Sequence, residues 1–313
     1  MKNYFHTLLS AAALLLAVSC SPIDELFSGE NGEAQIVSFT IQAGQEQSRA
    51  AGDGNTVDQV HYEVWDKSTG KLVISSVTGK SDGQPVGIVD KTATVNIRLV
   101  KGLEYEIVFW AHNEQGTGYL IEDGLENIRL KDGVKANKET YDAFYQALTD
   151  YRVSNVVKTV VLKRPFGQLN VGTSSEDWQK AINLDVEIDR STISVTQVAN
   201  VFNARTGKIA RQDGLTQLTF DLEDVLKETF KVEGTPYHYL GMNYFLADTE
   251  KTLHDLTITL NDGDKVINTL RIINTPIQRN WRTNIIGDLL TSKENFRVVV
   301  EPGFDDDHNE TFN

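Results

Sequence analysis

Apolar and polar residues alternate with period two through most of the chain, the pattern of strands that bury one face. In residues 92–100, Ala93, Val95, Ile97 and Leu99 alternate with Thr94, Asn96 and Arg98. In residues 182–189, Ile182, Leu184, Val186 and Ile188 alternate with Asn183, Asp185, Glu187 and Asp189, which predicts a further strand. More strands are predicted at 57–66, 71–77, 104–112, 155–163, 193–201, 216–220, 253–260, 265–273, 280–287 and 295–301. Gly, Asn and Asp punctuate them, and Asn261-Asp262-Gly263-Asp264 suits a hairpin turn. Helical periodicity is sparse. Tyr141, Phe144, Tyr145 and Leu148 fall at i, i+3, i+4 and i+7, which predicts a helix over 138–149. A short helix is predicted over 221–230, capped by Asp221 with Leu222, Val225 and Leu226 inward. Another is predicted to open at Ser174 or Ser175 and to include Trp178.

Many short strands separated by turns predict an all-β fold of sandwiches rather than a parallel α/β sheet. Pro165, in Lys163-Arg164-Pro165, disfavours a central strand at that point. The break divides the chain into 34–163 and 164–304, read as two β-sandwich domains in tandem with a few short helices. No internal repeat relates the two.

The strand at 35–43 stands apart. Val37, Phe39, Ile41 and Ala43 share one face, and Ser38, Thr40 and Gln42 the other. A polar, small-residue stretch follows from Gly44 to Asn55, and Arg49 is its one basic residue. Such a stretch is within reach of a protease. A cut between Arg49 and Ala50 would leave the strand held by its contacts yet free to exchange. The groove it vacates would expose apolar surface and unpaired edges, a template for a strand from another chain. The plainer alternative is a permanent first strand followed by a loop with a single arginine.

The first twenty residues read as an export signal. Lys2 supplies the charge, and Leu8 to Val18 is an apolar run broken by Ser10, too short to span a bilayer. Leu16-Ala17-Val18-Ser19-Cys20 resembles a bacterial lipobox, and Cys20 is the one cysteine of the chain. On this reading residues 1–19 are removed, Cys20 is lipidated, and 20–33 form a tether.

Composition narrows the function. The 313 residues include 30 Lys+Arg and 44 Asp+Glu, a formal charge of −14. That balance argues against a basic phosphate-binding surface for nucleic acid and against lying on an anionic membrane. One cysteine excludes a disulfide framework and a Cys-rich zinc site. There is no Gly-x-Ser-x-Gly elbow, His-Glu-x-x-His pair or phosphate loop, so no enzyme, catalytic residue or cofactor is expected. His6, His61, His112, His238, His254 and His308 are scattered, with no two at ligand spacing, and His112 reads as the end of a strand. Asp305 to Asp307 lack the spacing of a calcium loop, so no metal is expected and 305–313 read as an acidic tail. Trp65, Trp110, Trp178 and Trp281 read as packing residues rather than a sugar platform.

Four features together resemble the fimbrillin-like lipoproteins of Bacteroidales, the type V pilus subunits. They are the lipobox at Cys20, the Val37–Ala43 strand followed by Ser48-Arg49-Ala50, the junction Leu162-Lys163-Arg164-Pro165-Phe166-Gly167-Gln168-Leu169-Asn170-Val171, and the run from Pro276 to Leu290 containing Arg279-Asn280-Trp281-Arg282-Thr283-Asn284. The acidic Asp24-Glu25 after Cys20 also resembles a surface-export tag of such lipoproteins. The resemblance implies two transthyretin-like sandwiches and a role in assembly and adhesion at the outer membrane, anchored by lipid. It implies that an arginine-specific protease cuts at Arg49, and that other pilus subunits fill the vacated groove by donor-strand exchange. The polar acidic tail makes a poor donor strand, which favours an anchor or tip subunit over a stalk. The alternative is a surface lipoprotein that never polymerises and binds a glycan or host ligand.

Overall fold

The computed structural model describes residues 33–44, 54–115, 118–131, 139–153, 157–195, 198–210, 217–221 and 229–302. The signal segment, Cys20, the tether before Glu33, Arg49, Ala50, nearly all of the helix expected at 221–230 and the acidic tail lie outside these residues.

Among the described residues, five sheets carry the fold. The first has the order β10 (Lys158–Leu162), β1 (Ala34–Ala43), β5 (Thr92–Val100). The second runs β3 (Lys71–Ser75), β2 (Gln59–Asp66), β6 (Glu104–His112), β9 (Ala143–Arg152), with β4 (Val86–Gly87) paired to β2. These two sheets face each other across a core drawn wholly from residues 37–162, including Phe39, Val95, Ile107 and Phe109. The fourth sheet runs β16 (Thr229–Val232), β17 (Thr235–Leu246), β11 (Phe166–Ser174), β20 (Trp281–Gly287), β21 (Phe296–Pro302). The fifth runs β15 (Gln217–Asp221), β12 (Arg190–Val195), β18 (Thr252–Asp262), β19 (Lys265–Ile277). Their shared core is drawn from residues 169–290, including Leu169, Ile193, Ile258 and Ile285. The chain is thus two β-sandwiches in tandem.

A small third sheet stitches them. Its order is β14 (Lys208–Ala210), β13 (Val201–Asn203), β8 (Ile128–Leu130), β7 (Tyr119–Leu120), so strands from both sides of Pro165 pair in it. A third core lies here, combining Trp65, Val108 and Trp110 of the second sheet with Phe166, Tyr239 and Tyr244 of the fourth and Phe202 of β13. The second and fourth sheets therefore bury both faces. That is why β6 reads as an unbroken apolar run from Ile107 to Ala111 rather than as an alternation.

Two expected elements differ. Where a helix is expected over 138–149, the described residues from Glu139 form a single 3-10 turn, Glu139–Tyr141, and then β9. Phe144 enters the first core while Tyr145 packs at the third, so two apolar surfaces claim opposite sides of a strand. The pairing of β9 along β6 outweighs the helical spacing of its side chains. Residues 182–189 are not a strand. The helix α1 (Ser175–Asn183) runs into them, capped by Ser174, whose hydroxyl accepts the Asp177 N–H at 3.1 Å. Leu184 closes the helix and Asp185 takes a left-handed φ of 58°, leaving Ile182 and Leu184 exposed. The expected strand at 193–201 is likewise two pieces, β12 and β13. The Asn261–Asp264 hairpin joins β18 to β19 as expected, with Gly263 at φ 57°.

The junction is held by a buried ion pair. Arg164 donates from Nε and Nη2 to the two carboxylate oxygens of Asp142 at 2.8 and 2.7 Å, and its guanidinium lies 4.5 Å over the Phe144 ring. Both side chains are almost wholly buried. Removing one partner strands a buried charge, which costs about 3–5 kcal/mol. Asp142→Ala is expected to lower unfolding stability by that amount in urea titration. The double variant Asp142→Leu with Arg164→Met is expected to recover most of it.

Candidate functional site

The first strand is the centre of the first sheet. β1 pairs antiparallel with β5, from Ala34 opposite Val100 to Gln42 opposite Thr92. On its other side it pairs parallel with β10, from Phe39 opposite Lys158 to Ala43 opposite Leu162. β5 and β10 meet only through it. Val37, Phe39, Ile41 and Ala43 point into the core as the alternation predicts, and Phe39 is wholly inaccessible to solvent. Its ring lies 5.5 Å from Phe109 and 5.1 Å from Tyr151 across the sandwich. The outer face is lightly held: Ser38 donates to the Asn96 side chain at 2.7 Å, and Ile36 is 71% exposed.

Both ends of the strand are defined. The Glu33 carbonyl accepts the Lys101 N–H at 2.9 Å, and the Ala43 N–H donates to the Lys91 carbonyl at 2.9 Å. Gly44 follows with φ 70°, in the left-handed region. The chain is described again from Gly54, φ 76°, where a Cβ would stand 3.1 Å from the Phe144 ring. Arg49 and Ala50 fall between these glycines and outside the described residues. Alongside β5, on the side away from β10, the sandwich opens into a cavity of about 190 Å³ walled by Tyr62, Ile97, Leu99, Leu103 and Tyr105.

The Arg279–Asn284 run is a tie between the sandwiches. Arg279 donates from Nε to the Ala247 carbonyl at 2.9 Å and from its terminal nitrogens to the Tyr145 hydroxyl and the Gly207 carbonyl. Its guanidinium also lies over the rings of Tyr145 and Phe202, each just over 5 Å away. Asn280 takes a φ of 62°, and Asn284 accepts from Asn170 and donates to Glu301, both at 2.8 Å. Arg282 is half-buried, and its desolvation lowers its pKa. These residues hold strands β11, β20 and β21 and the seam rather than lining an open cleft. The C-terminal β21 lies at the edge of its sheet, paired to β20 alone.

Trp65 and Trp110 are buried at the third core, and Trp178 stacks on His238 with centroids 5.0 Å apart. Two of the histidines read as scattered are in fact together. The rings of His61 and His112 stack 5.4 Å apart with planes 16° from parallel, and Glu114 reaches both. Burial lowers the pKa of His61, and burial with the neighbouring His61 lowers that of His112 to about 4. In the sequence these residues are 51 positions apart on strands whose pairing the alternation does not reveal. The one local sign is the spacing His112-x-Glu114 at the end of a strand.

Residues 29–313 match the model of the family of unknown function DUF6562. The chain belongs to that family. No curated protein matches this DUF6562 chain with significance. Among solved structures, it is similar to a candidate polysaccharide-binding protein of Bacteroides thetaiotaomicron at 15% identity and a TM-score of 0.49, over 85% of this chain and 96% of the other. It is similar to the tip fimbrial protein Mfa3 of Porphyromonas gingivalis, crystallised with a C-terminal truncation, at 10% identity and a TM-score of 0.48, over 85% and 99%. The fimbrial anchor protein Mfa2 of Porphyromonas gingivalis matches at 14% identity and a TM-score of 0.44, over 85% and 97%. Likeness at this level carries no function to the DUF6562 chain.

Because Phe39 is clamped between two sheets, Phe39→Ala is expected to destabilise the protein by about 3–5 kcal/mol. Ile36→Ala, on the open face of the same strand, is expected to stay within about 0.5 kcal/mol of wild type. Chemical denaturation of the two variants side by side checks both.

Proposed function

We propose that this protein is a cell-surface subunit of fimbrial type that assembles by strand complementation and serves adhesion. The observation that carries the reading is the place of β1. It is the first described strand, it lies between two strands that do not pair with each other, and it ends six residues before Arg49. Burying Val37, Phe39 and Ile41 contributes about 1.5–3 kcal/mol each, so the strand stays seated after a cut. Without it, β5 and β10 each present an open edge above an apolar floor, which is the receptor geometry for strand addition.

The sequence features around β1 support the same reading. The lipobox supports transport as a lipoprotein with Cys20 as its lipid site, and the Arg49–Ala50 bond follows the strand as a processing site would. In this reading residues 34–163 form the receptor domain and 164–304 the second domain. The partners are other subunits and the outer membrane, with no catalytic role.

N-terminal sequencing with intact mass on protein from the native outer membrane is the test. A mature chain beginning at Ala50 is expected for an assembling subunit. A lipidated Cys20 followed by an intact 21–49 overturns strand exchange for this chain. With purified protein, limited trypsin treatment is expected to yield SDS-resistant ladders. Arg49→Gln is expected to abolish them, and ladders from that variant would sink the assignment of the cut.

A further inference from the structure

At the end of the second sheet, His61, His112 and Glu114 converge on one point. β2 and β6 run antiparallel with His61 opposite Trp110 and Gln59 opposite His112, so the two histidines are diagonal neighbours on one face. That face is turned away from the first core. Glu114 lies two residues beyond β6. Its Oε2 stands 3.3 Å from His61 Nε2 and 3.2 Å from His112 Nε2, and one ligand atom from each of the three lies within 4.8 Å of the other two.

These separations have a geometric meaning. Bonds of about 2.0–2.1 Å from a tetrahedral ion to nitrogen and oxygen place neighbouring ligand atoms about 3.3 Å apart. Two of the three edges already have that length. The imidazoles are buried, while Glu114 is half exposed, so water can reach the remaining coordination position. The carboxylate is also aimed. The Glu114 N–H donates to Asp58 Oδ1 at 2.9 Å, and the Asn113 side chain donates to the Thr56 carbonyl at 2.7 Å, which clamps the turn above the rings. Both Nδ1 atoms are buried with no hydrogen-bond partner, so hydrogen bonding leaves each ring only half used.

We propose that His61, His112 and Glu114 bind a divalent transition-metal ion, with Asp58 as the positioning residue of Glu114. Two imidazoles and one carboxylate suit zinc and its neighbours in the transition series, not calcium or magnesium, which take oxygen ligands. The ion pins the turn after β6 to β2 and leaves one coordination position open at the surface. The site is independent of strand exchange, since its histidines lie on the face of the second sheet turned away from the core that β1 closes.

Untagged protein, stripped with chelator and titrated with zinc chloride in a calorimeter, tests this. One equivalent with micromolar or tighter affinity is expected. Glu114→Gln, a change on the surface, is expected to weaken binding at least tenfold, and Asp58→Ala about tenfold. His254→Gln, elsewhere on the molecule, is expected to bind as wild type. Cobalt(II) reads the coordination without any substitution: intense visible bands of a low-coordinate nitrogen and oxygen site are expected. A spectrum of hexaaqua cobalt with the protein present, no saturable zinc binding, or Glu114→Gln binding at wild-type affinity would each overturn the proposal.

Discussion

β5 and β10 share no hydrogen bond, and the first sheet exists because β1 lies between them. The strand meets two different ladders, antiparallel on one side and parallel on the other, and its inner face closes the core against Phe109 and Tyr151. A sheet built this way has its middle strand at the chain's beginning and its flanking strands about sixty and one hundred and twenty residues later. Those long loops must close before the ladder forms, at a cost in chain entropy that only the burial of Phe39 and its neighbours repays. The first sandwich is therefore complete only when its first strand is in place.

The second constraint is at the seam. The second and fourth sheets each turn one face to their own sandwich and the other to the third core. Two arginines that reach into this seam are paired. Arg164 meets Asp142 through two parallel bonds, and Arg279 divides its donors between Ala247, Gly207 and Tyr145. The sequence run that marks the resemblance to fimbrillin-like proteins thus has a structural account here, as the clasp between two sandwiches.

Much of the fold is legible in the sequence where one face of a strand is wet. Thr92–Val100 and Val37–Ala43 show this, because alternation then reports the core directly. Legibility fails where that condition fails. In β9, Phe144 and Tyr145 are both claimed by apolar surfaces on opposite sides, and the result mimics helical spacing. In 182–189 the alternation is real but incidental, since the capped helix α1 and its exit turn leave Ile182 and Leu184 in solvent. The histidine pair was out of reach for another reason. Pairwise proximity across an antiparallel ladder depends on register, and a single sequence does not fix which residue of β2 lies opposite which residue of β6.

Glu33 leads directly into the N-terminal end of β1, so any pull on the preceding chain is applied along the strand axis. Hydrogen bonds in both ladders lie across that axis and are loaded together rather than one after another. The antiparallel neighbour spans nearly the whole strand, and the parallel neighbour spans its far half. Tension is therefore carried into the body of the sheet, and the strand acts as a mechanical fastener in shear.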